Sequence, residues 1–488
     1  VSLSYPPLAI EEADLHTETP PPGIDYADKW YVLLAIAMAI FLGTIDGTIV
    51  NVALPTLVEE FDTTFAIGQW VILAYLLTQT TLTLGLGRLG DMVGKKPIFT
   101  SGFAVFTVAS LLAAAAPTIG FLIGARIVQA VGAAMIFALG FAIITESFPP
   151  SERGRALGVT TTIASVGIMA GPIIGGLILE AVNWQLIFIV NVPLGIIGTL
   201  TAIRFIPNTK PAGGQRFDFV GAVLFFVALL AMLLGLTAGQ EIGFTHPLTL
   251  GLLATSVIAF PTFVAVERRV DQPMLDLSLF ADRDVSVNLV TGFMMFFALG
   301  GLLLISPFYL TDVIQLSPTR IGLVLASIPV TLGIVSPISG SLSDRIGSRR
   351  VTVTGLAITL AGFVVAALFL EGATTALAMV IVGLIVGFGV GAFNSPNNSA
   401  VLGAVPRDKL GVTSGMLVIN RTAGTVVGIA VLGALWAART VTYAGGGTAA
   451  DAPPAAQAAG FGDAMVAGAV VLLIALSLGV WAWRSRSS

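Results

Sequence analysis

The sequence contains no cysteine, only two histidines and few charges. Without cysteine, disulfides, thiol catalysis and Cys-ligated metal are excluded. His16 lies in the N-terminal stretch and His246 between two apolar runs, so no histidine can relay protons within a membrane. Charged residues make up 10% of the chain, against roughly 25% in an ordinary soluble domain. A Walker-type loop, a metal-ligating cluster and a Ser/His/Asp set are also missing. The chain therefore reads as a non-enzyme that needs no cofactor and does not draw its energy from ATP. Nothing in it points to nucleic acid.

What is present is apolar sequence. Hydrophobic residues make up 56%, and mean hydropathy is +0.96. Runs of about 20 apolar residues, the length that crosses a bilayer core, fall at 31–55, 66–86, 97–116, 119–145, 157–179, 186–206, 219–238, 248–266, 286–310, 321–341, 351–370, 375–400, 412–436 and 463–483. A segment in lipid must satisfy its own backbone hydrogen bonds, so each run is expected to be a helix. The expected fold class is an all-α polytopic membrane protein with fourteen transmembrane helices.

The net charge of −4 says less than the placement of the basic residues. If residue 29 is cytoplasmic, fourteen crossings put 19 of the 23 Lys and Arg residues on that side, as short-loop charge bias requires. Arg320 and Arg439 fall outside, and Arg126 and Arg421 lie within apolar runs. Both termini are therefore expected in the cytoplasm, and the protein in the inner (plasma) membrane. Residues 1–29, acidic and proline-rich ("EEADLHTETPPPG"), read as a disordered tail.

The chain repeats itself. "GRLGDMVGKK" from Gly87 and "GSLSDRIGSRR" from Gly340 are 253 residues apart, and the same offset pairs Gly158 with Gly411, Gly171 with Gly424 and Gly175 with Gly428. That offset spans eight runs, so two six-helix halves, 30–206 and 285–488, are expected to flank a linker, 207–284, holding two extra helices. Repeats of this kind build many secondary transporters, with the substrate site between the halves near the midplane. The Ala/Gly/Pro-rich stretch 437–462 reads as an external loop.

These segments resemble a known family. "GRLGDMVGKK" is similar to the loop between helices 2 and 3 of the major facilitator superfamily, "RIVQAVGAA" from Arg126 to its helix-4 motif, and "GIMAGPIIGG" (Gly167 to Gly176) to the helix-5 motif of its antiporters. "DGTIVNVALP" and "NWQLIFIVNVP" narrow the likeness to the fourteen-helix drug:proton antiporters. Ala130 stands where the helix-4 motif has glycine, and Met92 where the first loop has a basic residue. The resemblance implies the major facilitator fold, an inter-half latch at Gly87, Asp91, Gly94 and Lys95 with its counterpart at Asp344 and Arg345, and a hinge or seal at Gly167, Gly171, Pro172, Gly175 and Gly176.

The residues themselves support parts of this. Gly87 and Gly94 permit a tight turn, and Asp91 suits a neighbouring helix end; a merely solvated loop is the alternative. Small residues at spacing four let helices approach closely, and Pro172 bends its helix, although tight packing alone would also account for them. Asp46 lies inside an apolar run, where a charge costs roughly 2.5–3.5 kcal/mol or more. Counting about 1.5 Å per residue puts Asp46 and Arg126 at comparable depth, so a contact is expected, with stability as its alternative purpose. Arg421, in the other half, is expected to reach Asp46 in some state. Glu146, at the end of the fourth run, is a second candidate acid. Loss of water favours a neutral carboxyl and a nearby arginine the charged one, so alternating exposure would load and unload a proton at Asp46. Asn51, Gln79, Gln129 and Asn394 are expected to line a cavity, with Asn191, Asn397 and Asn398 as further polar groups; capping or bridging of helices is the alternative for members of this set. The leading expectation is a monomeric, proton-driven exporter of amphipathic or cationic small molecules working by alternating access. A lipid or glycolipid exporter on the same scaffold is the alternative.

Overall fold

The computed structural model describes residues 26–149, 152–208, 218–270, 280, 282–369, 375–405, 410–449 and 451–484. Among the described residues, fourteen helices are long and apolar enough to cross a membrane. In chain order the elements are α1 (Lys29–Glu60), α2 (Phe65–Gly68), α3 (Trp70–Val93), α4 (Lys95–Ala114), α5 (Ile119–Ser147), α6 (Arg153–Ala181), α7 (Leu186–Ile189), α8 (Asn191–Phe205), α9 (Phe219–Ile242), α10 (Pro247–Glu267), α11 (Arg283–Phe308), α12 (Pro318–Leu325), α13 (Ser327–Ile346), α14 (Ser348–Phe369), α15 (Ala376–Gly403), α16 (Leu410–Ala444) and α17 (Pro454–Arg484). A π-helical turn, Tyr309–Val313, extends α11.

Two six-helix halves account for twelve spans, and their packing repeats with the sequence. The offset of 253 residues carries Lys95, the first residue of α4, onto Ser348, the first of α14. Gly94 and Gly347 immediately precede these helices with φ of 112° and 93°, a backbone conformation side chains seldom adopt. α4 meets α5 where a methyl on Gly132 would strike the Phe106 backbone; α14 meets α15 where one on Gly355 would strike that of Phe393. The α1–α6 contact likewise has its counterpart in α11–α16. α9 and α10 pack as a pair, and α9 also rests on α3 and α16.

Charge pairs mark one end of the bundle. Lys29 pairs with Glu152 at 2.7 Å, Lys95 with Glu146, and Arg349 with Asp284 at 2.6 Å. Arg283 lies over the Trp481 ring. Each link stays within its own half. The far end holds the halves together: Thr319 N–H donates to Glu180 at 3.0 Å, and Phe65 packs edge-on against Phe308 and Trp436.

Two expectations about loops need correction. Gly87 and Asp91 do not sit in a turn but in the last turns of α3, with Gly94 alone making the reversal; the same holds for Asp344 and Arg345 in α13, ahead of Gly347. A single positive-φ glycine suffices to turn the chain, so the helix has no reason to end earlier. The stretch 437–462 is mostly helical, because α16 continues to Ala444 and α17 starts at Pro454. Alanine favours helix, and these ends are tied by Arg439 to Asp463 and by Trp436 Nε1–H to the Gln457 carbonyl at 3.3 Å. The expected tail lies outside the described residues up to 25, while Lys29 already opens α1.

Candidate functional site

Inside the first half, side chains from several helices close around one carboxylate. Asp46 is fully buried in α1, in an apolar stretch that offers it no local partner. Arg126 arrives from α5, 1% exposed, and its Nη1–H donates to Asp46 Oδ2 at 2.6 Å. Gln129, one turn along the same helix face, donates from Nε2 to Asp46 Oδ1 at 2.9 Å. Asn191 donates from Nδ2 to the same Oδ1 at 2.8 Å. It opens α8, whose start is set by Pro193: the missing N–H of proline costs nothing in a helix's first turn.

A second layer fixes these groups. Arg126 Nη1–H also donates to Gln129 Oε1 at 2.6 Å, and its Nε–H to the Val71 carbonyl at 3.1 Å. Its guanidinium lies 4.0 Å from the centre of the Tyr75 ring, a cation–π arrangement. Gln129 Nε2 donates onward to Ser110 Oγ at 2.8 Å, and Ser110 donates to the Phe106 carbonyl. Asp46 accepts three hydrogen bonds, the one from Arg126 joining two opposite charges. The expected Asp46–Arg126 contact is thus direct. Gln129 belongs to this network, which corrects its expected place on a cavity wall; at 0% exposure it meets no solvent.

The other candidates are placed elsewhere. Arg421 does not reach Asp46: it is exposed on α16, with its guanidinium 5.7 Å from the Phe296 ring centre. Glu146 is tied to Lys95 at the charged end, away from the buried network. Arg345 is exposed; the side chains of Asp91 and Asp344 lie outside the described set. Asn51, Gln79 and Asn394 are half-buried. Asn397 is buried beside Asn420, which donates to the Leu289 carbonyl at 2.8 Å.

The α6 motif divides into two contacts. Gly167, Gly171 and Gly175 face α1, meeting Thr44, Thr48 and Ile49. Both threonine hydroxyls already donate to carbonyls a turn earlier in α1, at 2.8 and 2.9 Å, so the glycine backbone approaches satisfied groups. Gly176 and Pro172 face the other half: a methyl on Gly176 would overlap the Pro318 carbonyl, and one on Gly322 that of Pro172. The motif therefore packs α6 within its half and against the other half at once. Sequence reasoning passed over Ser110 and Tyr75, whose residue types are common, and did not select Asn191, although "NWQLIFIVNVP" had drawn attention to it.

The family model described as Major Facilitator Superfamily matches residues 36–275 and 289–486. The chain belongs to this superfamily. Among curated relatives it is 36% identical over 419 residues to the riboflavin transporter RibZ of Clostridioides difficile (strain 630), covering 85% of this chain and 90% of that one. It is 34% identical over 411 residues to the multidrug resistance protein Stp of Mycobacterium tuberculosis (strain H37Rv), covering 83% and 75%. It is 28% identical over 417 residues to the tetracenomycin C resistance and export protein of Streptomyces glaucescens, covering 84% and 76%. Solved structures share the fold: a bacterial homologue of the human lysosomal transporter Spinster, inward-facing and unoccupied, superposes with a TM-score of 0.66 at 18% identity over 94% of this chain and 97% of that one. The peptide transporter POT gives 0.67 at 16% over 91% and 93%.

Proposed function

We propose that this superfamily transporter is a proton-coupled exporter of amphipathic small molecules, with Asp46 as the proton carrier. One observation carries the reading: a carboxylate kept fully buried inside a membrane-spanning helix, its charge held by Arg126 and two amides. Ionisable groups at such depth are costly and mark transport paths. A pair serving stability alone would gain little over apolar packing. The charged end is the cytoplasmic side by the distribution of Lys and Arg, with both termini there and the protein in the plasma membrane. The far-end seal of α6 against α12 then makes this a state closed to the outside. Two relatives, one named for multidrug resistance and one for tetracenomycin C resistance and export, support the direction of transport.

The substrate class follows from the second half. Arg421 is exposed within a span, and since a cation against lipid is costly we read it as facing the transport path between the halves. Beside Phe296 it favours uncharged or anionic aromatic molecules over dications. The same observation gives the relative named for riboflavin transport its weight, and uptake of a flavin-like molecule is the second reading. The test is transport into and out of proteoliposomes under an imposed pH gradient, with aromatic cations, neutral aromatics, riboflavin and a labelled lipid in parallel. Flux of at least one small aromatic that follows the gradient and stops with a protonophore is expected; flux indifferent to the gradient contradicts coupling, and movement of the lipid alone contradicts the substrate class.

A further inference from the structure

We infer that Asn191 is the positioning residue that lets Asp46 hold a proton, by turning its amide over when the carboxylate is neutralised. The inference rests on the coupling role of Asp46 proposed above.

The direction of nearly every hydrogen bond around Asp46 is fixed. Ser110 spends its hydrogen on the Phe106 carbonyl and so accepts from Gln129. Gln129 uses one Nε2 hydrogen there and the other on Asp46, while its Oε1 takes Arg126 Nη1–H. Reversing the Gln129 amide would set N–H groups of Gln129 and Arg126 against each other. Arg126 has donors only. A proton arriving on Asp46 Oδ2 would therefore point at Arg126 and find no acceptor. A proton on Oδ1 has one reversible neighbour, Asn191. Its Nδ2 donates to that oxygen, and its Oδ1 is buried and accepts from no described residue. Such a group carries an uncompensated desolvation cost, which the carboxylate form leaves in place.

Half a turn about the last side-chain torsion exchanges the two ends of that amide. The Nδ2–H···Oδ1 bond to the carboxylate breaks, and the O–H of the neutral acid donates to the carbonyl oxygen of Asn191. No proton passes through the amide; it comes from water and returns to water at Asp46. Asn191 can thus donate to the anion and accept the O–H of the acid, whereas Arg126 and Gln129 can only donate to Asp46.

Few other groups can imitate this. Of the elements packed on α1, α5 presents Arg126 and α3 presents Tyr75, whose hydroxyl is buried without a described partner. The remaining charges lie near helix ends: Asp28 before α1, Arg88 and Asp91 on α3, Glu146 on α5, Arg153, Arg155 and Glu180 on α6, Arg204 on α8, Arg283 and Asp284 on α11, and Arg320 on α12. α2 and α7 carry none.

The test compares Asn191→Ser with Asn191→Ala, two side chains of similar size of which only serine can both donate and accept. Two quantities are read in the full-length protein: the pH midpoint of gradient-driven transport, and the infrared carbonyl band of the protonated carboxyl, assigned by its loss in Asp46→Asn. In Asn191→Ala the anion loses a charge-assisted bond and the acid only a neutral one, so the midpoint should rise by about one pH unit, with the carboxyl band displaced. Asn191→Ser should keep both near the parent values. If alanine prevents folding, Asn191→Leu fills the volume and carries the same readouts. Identical midpoints and bands in the serine and alanine (or leucine) proteins overturn the inference. If Asp46→Asn leaves coupling and band intact, the coupling role itself fails; if Asp46→Asn removes both while the Asn191 variants change neither, only the amide mechanism fails.

Discussion

Asp46 and Arg126 were legible from sequence because each is a rare charge in an apolar run, and a rise of about 1.5 Å per residue is enough to compare depths. For Arg421 depth alone does not say which way a helix faces, and in this structure α16 turns it toward Phe296. Asn191 and Ser110 carried no such signal, since neutral polar residues are common on membrane helices and only the assembled packing shows which of them meet a carboxylate. The buried pair makes a stability prediction. Arg126→Leu leaves Asp46 buried without its counter-charge, which costs about 3–5 kcal/mol unless the acid takes a proton. The thermal unfolding temperature of this variant should therefore be well below the parent's at neutral pH and recover as pH is lowered. A variant equally unstable at every pH would show that Asp46 is not the group responsible.

At the scale of elements, glycine sets how closely helices approach, and the severity of a substitution depends on what it meets. A methyl on Gly428 would strike the Phe297 carbonyl, a backbone atom on α11 that cannot turn aside. A methyl on Gly167 would meet first the Thr44 side chain, which has other rotamers. Gly428→Ala is thus expected to lower the unfolding temperature more than Gly167→Ala, and the reverse order would contradict the packing described. Gly94→Ala and Gly347→Ala should each lose about 1–3 kcal/mol from backbone strain alone, measurable by unfolding in detergent, while Gly87→Ala, within α3, should not show that strain. Here the sequence was legible in part. The runs of apolar residues located all fourteen spans, but glycine and alanine read as loop at 437–462, where tertiary contacts between α16 and α17 extend both helices.

For the whole molecule, the duplication is the organising fact, and the offset of 253 residues could be read without coordinates. Which end was sealed could not, because both access states share one sequence. The seal depends on backbone approaching backbone, Gly322 to Pro172 and Gly176 to Pro318, reinforced by Glu180 at the start of α12. These contacts must part when the far end opens. Gly322→Ala should therefore shift the equilibrium toward the state open at the far end, seen as longer distances between spin labels on cysteines placed at Val182 and Leu323. The natural absence of cysteine makes that labelling specific. An unchanged distance distribution would mean that this seam does not control the gate.

The proposal that Asp46 carries the transported proton meets its most direct test in proteoliposomes containing Asp46→Asn, with substrate movement and internal pH recorded together. The parent protein should move substrate uphill and acidify or alkalinise the lumen in step with it. The variant should still exchange substrate downhill, with no uphill movement and no proton signal. Uphill transport by Asp46→Asn with a normal proton signal would contradict the account.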